Sequence, residues 1–446
     1  MALFGRRNKK NHEEPAPPVE PEQVPEPVGP QLPPVDAQGL RSMEDHRDFV
    51  LSLIDELPPF GQQLLDAIDL SLCEDVISEL DLPGFDNSAM DGYAIQTPDV
   101  VGATDQDPAV LAVVGEIAAG QTATHRLSPG TAMKIMTGAP LPEGADAVVK
   151  YEDTDRGTDD VLVYAEVAQG ANIRRRGEDL AAGTVVLTTG DRLHSGGIGL
   201  LAAIGMDKVM VRPRPRVVVI ATGSELVDPG TELQHAGQIY DSNSFLLAAA
   251  AKEAGAQVFR VGQVSDDPDE VRQLIHDQLV RADLIITSGG VSEGDHDVIK
   301  DVMPTMGWCD FAKVAMQPGK PQGFGLIGDD KVPMIMLPGN PVSSFVSFEA
   351  FVRPVIRKLM AAEPYVRTAV PAISSTDIVS VPGKRQFARG VVSLDDQDQR
   401  RVRWVGEHGS HLLGDLARAN GLIVLDEEIE HVTAGDVVPV WQFGED

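Results

Sequence analysis

The second half of the chain alternates short apolar runs with amphipathic segments. Arg216–Ala221, Val258–Val261 and Ala282–Thr287 are rich in β-branched residues, which predicts buried strands. Polar capping residues then open predicted helices, the first of them over Phe245–Ala254. Repeated strand–helix units predict a parallel sheet, whose ligands bind beyond the carboxyl ends of the strands.

Different patterns flank this unit on both sides. Met43–Leu57 has apolar residues at helical spacing and predicts a helix, and Gln62–Leu72 predicts a second one. Short β-like runs broken by glycine and proline follow residue 94 and return after residue 363. The patterns divide the chain into a disordered Pro/Glu-rich tail (1–41), N-terminal linking helices (42–72), an inserted β-rich domain (73–173), a returning β segment (174–212), an α/β domain (213–362) and a C-terminal β domain (363–446).

Composition and charge exclude several classes of protein. The formal net charge of −31 argues against nucleic-acid binding through a basic surface, and an anionic substrate must then be held by local cations. No apolar run approaches the ~20 residues of a membrane span, and Arg6-Arg7 lacks the apolar segment of an export signal. Cys73 and Cys309 form no metal or redox motif, which fits a reducing cytoplasm.

The stretch Ser288–Val298 is the main candidate for chemistry. It follows a predicted strand, and Gly289 and Gly290 let the backbone turn tightly and approach a ligand. Glu293, Asp295 and Asp297 add carboxylates to the same loop. A loop that binds an anion and also carries carboxylates usually needs a metal ion between the two. The loop therefore suggests a phosphorylated substrate handled with Mg²⁺. A tight strand-to-helix turn with solvated acids is the alternative.

Other polar segments leave alternatives open. Arg174–Arg176 is either an anion contact or a solvated basic loop, and His296 is either a metal ligand or a surface histidine. Gly319-Lys320-Pro321 lacks the final residue of a nucleotide phosphate loop, and the glycine patterns of dinucleotide-binding folds and of serine hydrolases do not occur. A carboxylate-rich glycine-loop site remains, with Lys313, Lys320 and the three arginines as its cations.

Eight motifs occur in the order found in one known family. They are Asp86–Ala94, Met136–Pro140, Asn172–Asp179, Thr222–Leu226, Tyr240–Asn243, Ser288–Ser292, Pro318–Pro321 and Leu337–Pro341. Together they resemble the molybdopterin molybdenumtransferases, the bacterial MoeA family, which is related to the C-terminal domain of gephyrin. The resemblance runs from about residue 42 to the end of the chain. It implies a multidomain α/β plus β fold: a central three-layer α/β molybdopterin-binding domain with a parallel-type sheet, two β-rich N-terminal modules and a small C-terminal β-barrel domain.

The resemblance also implies an activity. The family inserts molybdate, its substrate, into the dithiolene of adenylylated molybdopterin with Mg²⁺, which releases AMP and gives molybdenum cofactor. Its members resemble homodimers in which the site lies between the α/β unit and the partner subunit. Implied partners are molybdopterin adenylyltransferase and the proteins that mature molybdoenzymes, with no nucleic acid and no membrane, in the cytoplasm.

The motifs place the family's functional residues on this chain. The catalytic candidates are Asp91, Thr137, Asp179, Glu225, Asp266, Asp297 and Lys313. The substrate-binding candidates are Ser288, Gly289, Gly290, Ser292, Lys320, Pro338, Gly339, Asn340, Pro341, Arg389 and Ser410. The metal candidates are Asp266 and Asp297. Gln317 departs from the family, where lysine is frequent, and removes one positive charge from the Lys320 loop.

Charge separates the roles of these groups. Two carboxylates about 6 Å from the molybdate dianion oppose its binding by roughly 11 kcal/mol at an effective dielectric constant near 20. We therefore expect Asp266 and Asp297 to act through Mg²⁺ on the adenylate phosphate, while Lys313 and nearby arginines contact the oxyanion. Asp91 and Asp179 would act from the β modules of the facing subunit.

Two other functions fit parts of the chain. The α/β unit alone resembles the molybdopterin adenylyltransferases, and a dimer with a tail could also be a non-catalytic scaffold. The β modules and the C-terminal domain favour the molybdenumtransferase over the first alternative. The presence of Asp91, Thr137, Asp179 and Lys313 favours chemistry over the second.

Overall fold

The computed structural model describes residues 29–121, 126–264, 267–291 and 297–444. They form N-terminal β-rich modules, a central α/β domain and a C-terminal β-barrel, which confirms the predicted fold class. No helix within these ranges is both long enough and apolar enough to cross a membrane.

The N-terminal modules are mostly short strands. Their helices and strands are α1 (Met43–Ser52), β1 (Phe60–Gln63), β2 (Val76–Ile77), β3 (Asn87–Ser88), β4 (Gly92–Ile95), β5 (Ala109–Ile117), β6 (Thr131–Ile135), β7 (Ala147–Lys150), β8 (Asp160–Val163), β9 (Ile173–Arg174), β10 (Val185–Leu187), α2 (Ser195–Ala203) and β11 (Lys208–Val211). Strands β7, β4, β6, β5 and β8 form one sheet in that order, while β1–β11, β2–β10 and β3–β9 form two-stranded ribbons. Tyr93 is buried in the core of the larger sheet, where its hydroxyl donates to the carbonyl oxygen of Gly157 at 2.8 Å. This sheet therefore has a core of its own.

The predicted helix over Gln62–Leu72 is wrong. Gln62 and Gln63 lie in β1, which pairs antiparallel with β11, and a 3₁₀ helix over Leu64–Ala67 follows. Pairing with a strand far along the chain satisfies the backbone there and outweighs the local helical pattern. The helix predicted from Met43 is confirmed, although it ends at Ser52 rather than at Leu57.

The α/β domain is built around one six-stranded sheet. Its elements are β12 (Arg216–Thr222), β13 (Leu226–Val227), β14 (Ile239–Tyr240), α3 (Asn243–Glu253), β15 (Gln257–Val264), α4 (Pro268–Leu279), β16 (Leu284–Ser288), α5 (Val298–Val302), β17 (Gly307–Lys313), β18 (Met316–Gln317), β19 (Pro321–Ile327), β20 (Val332–Leu337), α6 (Pro341–Ser347) and α7 (Arg353–Leu359), with a π-helical turn at Phe348–Val352. The strand order is β15-β12-β16-β20-β19-β17.

The sheet is mixed, not wholly parallel. Strands β15, β12, β16 and β20 are parallel, whereas at one edge β19 pairs antiparallel with β20 and β17 pairs antiparallel with β19. Only residues 328–331 connect β19 to β20. A parallel crossover needs about a dozen residues or more, so these neighbours can only form a hairpin.

Helices cover both faces of the sheet. Val217 and Val219 of β12 share a buried cluster with Leu247 of α3. Val218 and Ile220 share another with residues of α4 and α5. Burying each such side chain stabilises the fold by about 1.5–3 kcal/mol. Because both faces are covered, the carboxyl edge of the parallel strands is where a ligand can reach the sheet.

The C-terminal domain is a closed barrel. Its elements are β21 (Val370–Ser374), β22 (Ile378–Val379), β23 (Arg385–Leu394), β24 (Arg400–Trp404), α8 (Leu413–Leu416), β25 (Gly421–Leu425), β26 (His431–Val432) and β27 (Val437–Gln442). Strands β23, β24, β21, β27 and β25 follow one another, and β25 pairs with β23 to close the ring. Strand β18 pairs with β23 as well, which fixes the barrel to the α/β domain.

Packing at the N-terminus begins before the predicted end of the tail at residue 41. Leu40 and Arg41 are both buried. The Arg41 guanidinium lies 2.7 Å from the Asp310 carboxylate and 3.0 Å from Nδ1 of His46. Burial and then the charge of Arg41 lower the pKa of His46 to about 3, so its neutral ring accepts from Arg41. Residues 1–28 of the predicted tail lie outside the described residues.

This buried ion pair gives a stability prediction. Asp310→Asn should lower the free energy of unfolding by about 3–5 kcal/mol, because it leaves the Arg41 guanidinium buried without a counter-charge. Glu143→Gln is the control, since the Arg126–Glu143 pair is 73% and 76% exposed. It should cost less than about 1 kcal/mol. If urea unfolding showed equal losses of unfolding free energy for the two variants, the Arg41–Asp310 pair would not be a buried ion pair.

Candidate active site

A cleft of about 380 Å³ opens at the carboxyl ends of β12, β16 and β20. Residues 222–226, 239–243, 288–290 and 339–341 supply its lining. These three strands are parallel neighbours, so the loops that follow them meet at one edge of the sheet. The structure thus brings together Glu225, the glycine loop (residues 288–290) and the Pro338–Pro341 corner, which the sequence identified separately.

Asn243 joins two sides of the cleft. Its Nδ2 donates to Oγ of Ser288 at 2.8 Å and to the carbonyl oxygen of Gly339 at 2.6 Å. A further bond, from the amide of Gly289 to the carbonyl oxygen of Leu337 at 2.9 Å, ties the same two loops directly. The Oδ1 atom of Asn243 is buried with no partner in the part of the chain that the structure describes.

Both residues of the glycine pair need to be glycine, for steric and conformational reasons. Gly289 and Gly290 have φ angles of 95° and 89°. A Cβ atom on Gly290 would lie 2.6 Å from Cβ of Ile299 in α5, and one on Gly289 would lie 2.8 Å from Oγ1 of Thr222. The backbone therefore packs directly against its neighbours, and a side chain at either position would displace the loop.

A buried carboxylate braces the start of α3 beside the cleft. Asp241 accepts from the amide of Ser244 at 3.0 Å and also from the Ser244 hydroxyl. Arg260 lies 3.6 Å from the Asp241 carboxylate and binds Asp228 at 2.8 Å. These contacts hold the helix that carries Asn243.

The charge of the lining limits what the cleft can bind. Glu225 and Asp241 are the carboxylates of its described lining, none of whose residues is lysine or arginine. An anionic ligand must therefore be held by backbone amides, by a bound cation or by residues from elsewhere.

Two candidate ligands for Mg²⁺ lie near the glycine loop. Glu225 lines the cleft, and Asp297 occupies the N-cap position of α5, two residues before Ile299. Mg²⁺ prefers oxygen donors and often takes only one or two carboxylates, with water and substrate phosphate completing its shell. The donor chemistry fits, although no group of three His, Cys, Asp or Glu side chains forms a metal cluster within the described ranges. The predicted ligand Asp266 and the predicted contact Ser292 lie outside the described residues, as does His296.

Lys313 and Lys320 lie together but outside the cleft lining. Lys313 ends β17, and the amide of the next residue donates to the carbonyl oxygen of Lys320 at 2.7 Å. The carbonyl oxygen of Gly319 accepts from Gln322 at 2.5 Å, which fixes the turn between them.

The barrel residues Arg389 and Ser410 lie outside the cleft lining. The Val342 amide, next to Pro341, donates to the carbonyl oxygen of Ser410 at 3.0 Å. Arg389 is 3% exposed, and it donates to the carbonyl oxygens of Gly409, at 2.9 Å, and Glu407. Burial lowers the pKa of Arg389 below its usual value. In this conformation Arg389 holds a loop, which differs from the direct substrate contact expected from the sequence.

The candidates in the N-terminal modules form a separate group. The Thr137 amide and hydroxyl donate to Asp91 at 2.7 and 2.8 Å, and they hold the pKa of Asp91 below its usual value. Asp179 is exposed. None of the three contributes to the cleft lining.

Two of the three consecutive arginines have acidic partners nearby. Arg175 lies 2.6 Å from Asp86, and Arg176 pairs with Asp81. These pairs favour the structural alternative over an anion contact for both residues.

Asn243 is one of several lining residues, with Thr222, Tyr240 and Ser242 among them, that were not named as site candidates from the sequence. The sequence identified Asn243 only as part of a helix cap. Its place in the Tyr240–Asn243 motif, one of the ordered motifs, was the available signal. Its bonds to Ser288 and Gly339 depend on tertiary structure and are not visible in local sequence.

Comparison with known proteins decides the family. Three family descriptions match: MoeA N-terminal region (domain I and II) over residues 41–205, probable molybdopterin binding domain over 218–358, and MoeA C-terminal region (domain IV) over 371–443. Molybdopterin molybdenumtransferase 2 of Mycobacterium tuberculosis is 45% identical over 408 residues, which are 90% of this chain and 99% of that protein. The chain belongs to the molybdopterin molybdenumtransferase family.

Other members of the molybdopterin molybdenumtransferase family match equally completely. Molybdopterin molybdenumtransferase 1 of M. tuberculosis is 38% identical over 424 residues, covering 90% of this chain and 98% of that one. A crystal structure of a MoeA protein from Pyrococcus horikosii is 30% identical with a TM-score of 0.76, covering 91% of this chain and 100% of that one. Because these matches include the N-terminal modules and the barrel, they favour a molybdenumtransferase over an adenylyltransferase built from the α/β unit alone.

The close approach at Gly290 predicts a specific effect of substitution. Gly290→Ala should destabilise the protein by more than Gly190→Ala. Both glycines have nearly the same φ (89° and 91°), but a Cβ on Gly190 would meet nothing within 4 Å. The control should lose only the backbone cost of about 1–2 kcal/mol, whereas Gly290→Ala adds the clash with Ile299. Equal free energies of unfolding in urea titrations would show that the glycine loop is not packed as described.

Proposed function

We propose that this protein inserts molybdate into adenylylated molybdopterin in a Mg²⁺-dependent reaction, releasing AMP and giving molybdenum cofactor. Its family makes it a molybdopterin molybdenumtransferase of molybdenum-cofactor biosynthesis. The observation that carries the finer proposal is the cleft, in which the glycine loop, Asn243 and Glu225 converge at the carboxyl edge of parallel strands. Such an edge is the usual ligand site of this kind of sheet.

The cleft suits one end of a phosphorylated pterin. Its volume of about 380 Å³ falls within the range of small-molecule sites, and the tight glycine turn lets the backbone approach phosphate oxygens closely. Bound Mg²⁺ would neutralise phosphate charge and assist departure of the adenylate. Asp297, Glu225 and Asp266 are the residues we assign to hold it. Ser288 and Asn243 would orient the substrate, and the Pro338–Pro341 corner would form the opposite wall.

Lys313 and Lys320 are the proposed oxyanion contacts. They lie together at the junction of the sheet and the barrel, outside the cleft lining that contains the Glu225 carboxylate, which would repel molybdate. Separate places for the metal-bound phosphate and for the oxyanion would keep the acids from opposing molybdate.

A homodimer would complete the site. Asp91, Thr137 and Asp179 are absent from the cleft of their own subunit, so we assign them to the cleft of the facing subunit. We place the protein in the cytoplasm, where Cys73 and Cys309, both free thiols, are stable. It would receive its substrate from molybdopterin adenylyltransferase and pass its product to molybdoenzyme-maturation proteins.

Substitution of Lys313 tests the oxyanion role. Lys313→Ala should weaken molybdate binding by about 1.5–3 kcal/mol, the contribution of a hydrogen bond to a charged group. This corresponds to a roughly 10- to 150-fold rise in the molybdate concentration that half-saturates AMP release. Binding of adenylylated molybdopterin should change much less. Lys208→Ala, which removes an exposed lysine from a strand in another module, is the control. Superimposable molybdate titrations of the wild type and Lys313→Ala would refute the role.

Mixed dimers test the shared site. Asp297→Asn and Asp179→Asn should each be nearly inactive while keeping their fold, because each removes charge and little volume. Unfolded together and refolded at equal amounts, they should recover about a quarter of wild-type activity, since about half the dimers are mixed and each has one intact site. Light scattering that shows an active species of 47.7 kDa, or mixed dimers without recovered activity, would rule out the shared site.

A further inference from the structure

The barrel loop over residues 407–410 determines where α6 begins. The first amides of a helix have no partner within the helix, so an outside acceptor can fix their position. The carbonyl oxygen of Ser410 is such an acceptor for Val342. Pro341, the residue before Val342, lines the cleft. A shift of this loop would therefore move one wall of the cleft.

Two buried side chains of β23 hold the loop. Arg389 binds its backbone through the carbonyl oxygens of Glu407 and Gly409. Gln386 binds the side chain between them, with its Nε2 atom 3.0 Å from Nδ1 of His408. The indole of Trp404 packs against the other side of this contact, its ring centroid 4.9 Å from that of His408.

The amide of Gln386 is costly for the stability of the barrel. Gln386 is 1% exposed, and its Oε1 atom is buried with no hydrogen-bond partner among the described residues. A buried polar atom without a partner destabilises a fold. Methionine fills a similar volume without such an atom. Packing alone therefore favours methionine at this position, and the contribution of the amide lies in its contact with His408.

The same residue is also connected to the lysine turn. The backbone of Gln386 pairs with Gln317 of β18, and the Arg385 amide donates to the carbonyl oxygen of Ala315 at 2.8 Å. The turn that carries Lys320 follows Gln317 directly. Strand β23 thus sets the spacing between the lysine turn and the first turn of α6.

We infer that Gln386 and His408 are positioning residues for the molybdenumtransferase site. They hold the 407–410 loop against α6 and so fix the Pro341 wall relative to the lysine turn. Neither residue lines the cleft, so both act through the Ser410–Val342 hydrogen bond. The inference rests on the function proposed above.

The test compares Gln386→Met and His408→Phe with the wild-type protein. Both should leave the melting temperature unchanged or raise it, since each replaces a polar group by an apolar one of similar size. Amide hydrogen exchange of the segment 341–347 should accelerate about tenfold, because the Val342 amide loses its fixed acceptor. The KM for adenylylated molybdopterin should rise about tenfold with kcat within about twofold, as expected when ground-state binding is lost.

Two further variants separate positioning from general stability. Ile423→Val, in the barrel core, should lower the melting temperature while leaving exchange of 341–347 and KM as in the wild type. His408→Asn keeps an amide for Gln386 to contact. Unlike His408→Phe, it should therefore show the exchange rate and the KM of the wild type. The inference is overturned if Gln386→Met leaves exchange of 341–347 unchanged, whatever its melting temperature. The exchange measurement needs no turnover, so it decides the inference even if the wild type fails to release AMP, a failure that would refute the proposed function instead.

Discussion

The two hydrogen bonds of the Asn243 amide are the contacts on which the cleft depends most. They connect the start of α3 to the loop after β16 and to the corner after β20. Parallel strands bring these loops to one edge of the sheet but do not fix the distance between them. The Asn243 amide fixes this distance, together with the Gly289–Leu337 backbone hydrogen bond. A ligand that spans the two loops therefore meets a site already in its binding geometry, which reduces the entropy cost of binding.

Charge is the second constraint on this site. The chain has a net charge of −31, and the described lining of the cleft carries carboxylates but no lysine or arginine. A phosphorylated substrate thus calls for backbone amides and a cation at the glycine loop. The lysines instead lie at the junction with the barrel. Under the proposed function, this arrangement would give the phosphate and the oxyanion separate neutralising groups.

The sequence predicted the strands and loops whose conformation is set by neighbouring residues in the chain. The β-branched run of β16 and the glycines that follow it indicate a buried strand and a ligand loop, and the structure contains both. Contacts between distant residues were out of reach. Gln62 and Gln63 form a strand only because β11 lies beside them, and Asn243 becomes a bridge only when β16 and β20 meet.

The candidate site residues also divide into those visible in local sequence and those that depend on distant contacts. The ordered motifs identified the Pro338–Pro341 corner and the glycine loop, which do line the cleft. They could not show that Arg389 donates to carbonyl groups of its own barrel, since that depends on a loop that returns some twenty residues later. The antiparallel edge was not predicted, because no strand was identified over Pro321–Ile327, although the short connection over residues 328–331 allows only a hairpin.

The most direct test of this account measures how strongly Asn243→Ala binds adenylylated molybdopterin. Calorimetry should show affinity weakened about 5- to 150-fold, the loss expected from about 1–3 kcal/mol for two neutral hydrogen bonds. Asn420→Ala is the matched control, since that amide also makes two hydrogen bonds, both to Val392 within the barrel. It should lose stability and keep wild-type affinity. Unchanged affinity in Asn243→Ala, with its fold intact, would contradict the claim that this cleft is the molybdopterin site.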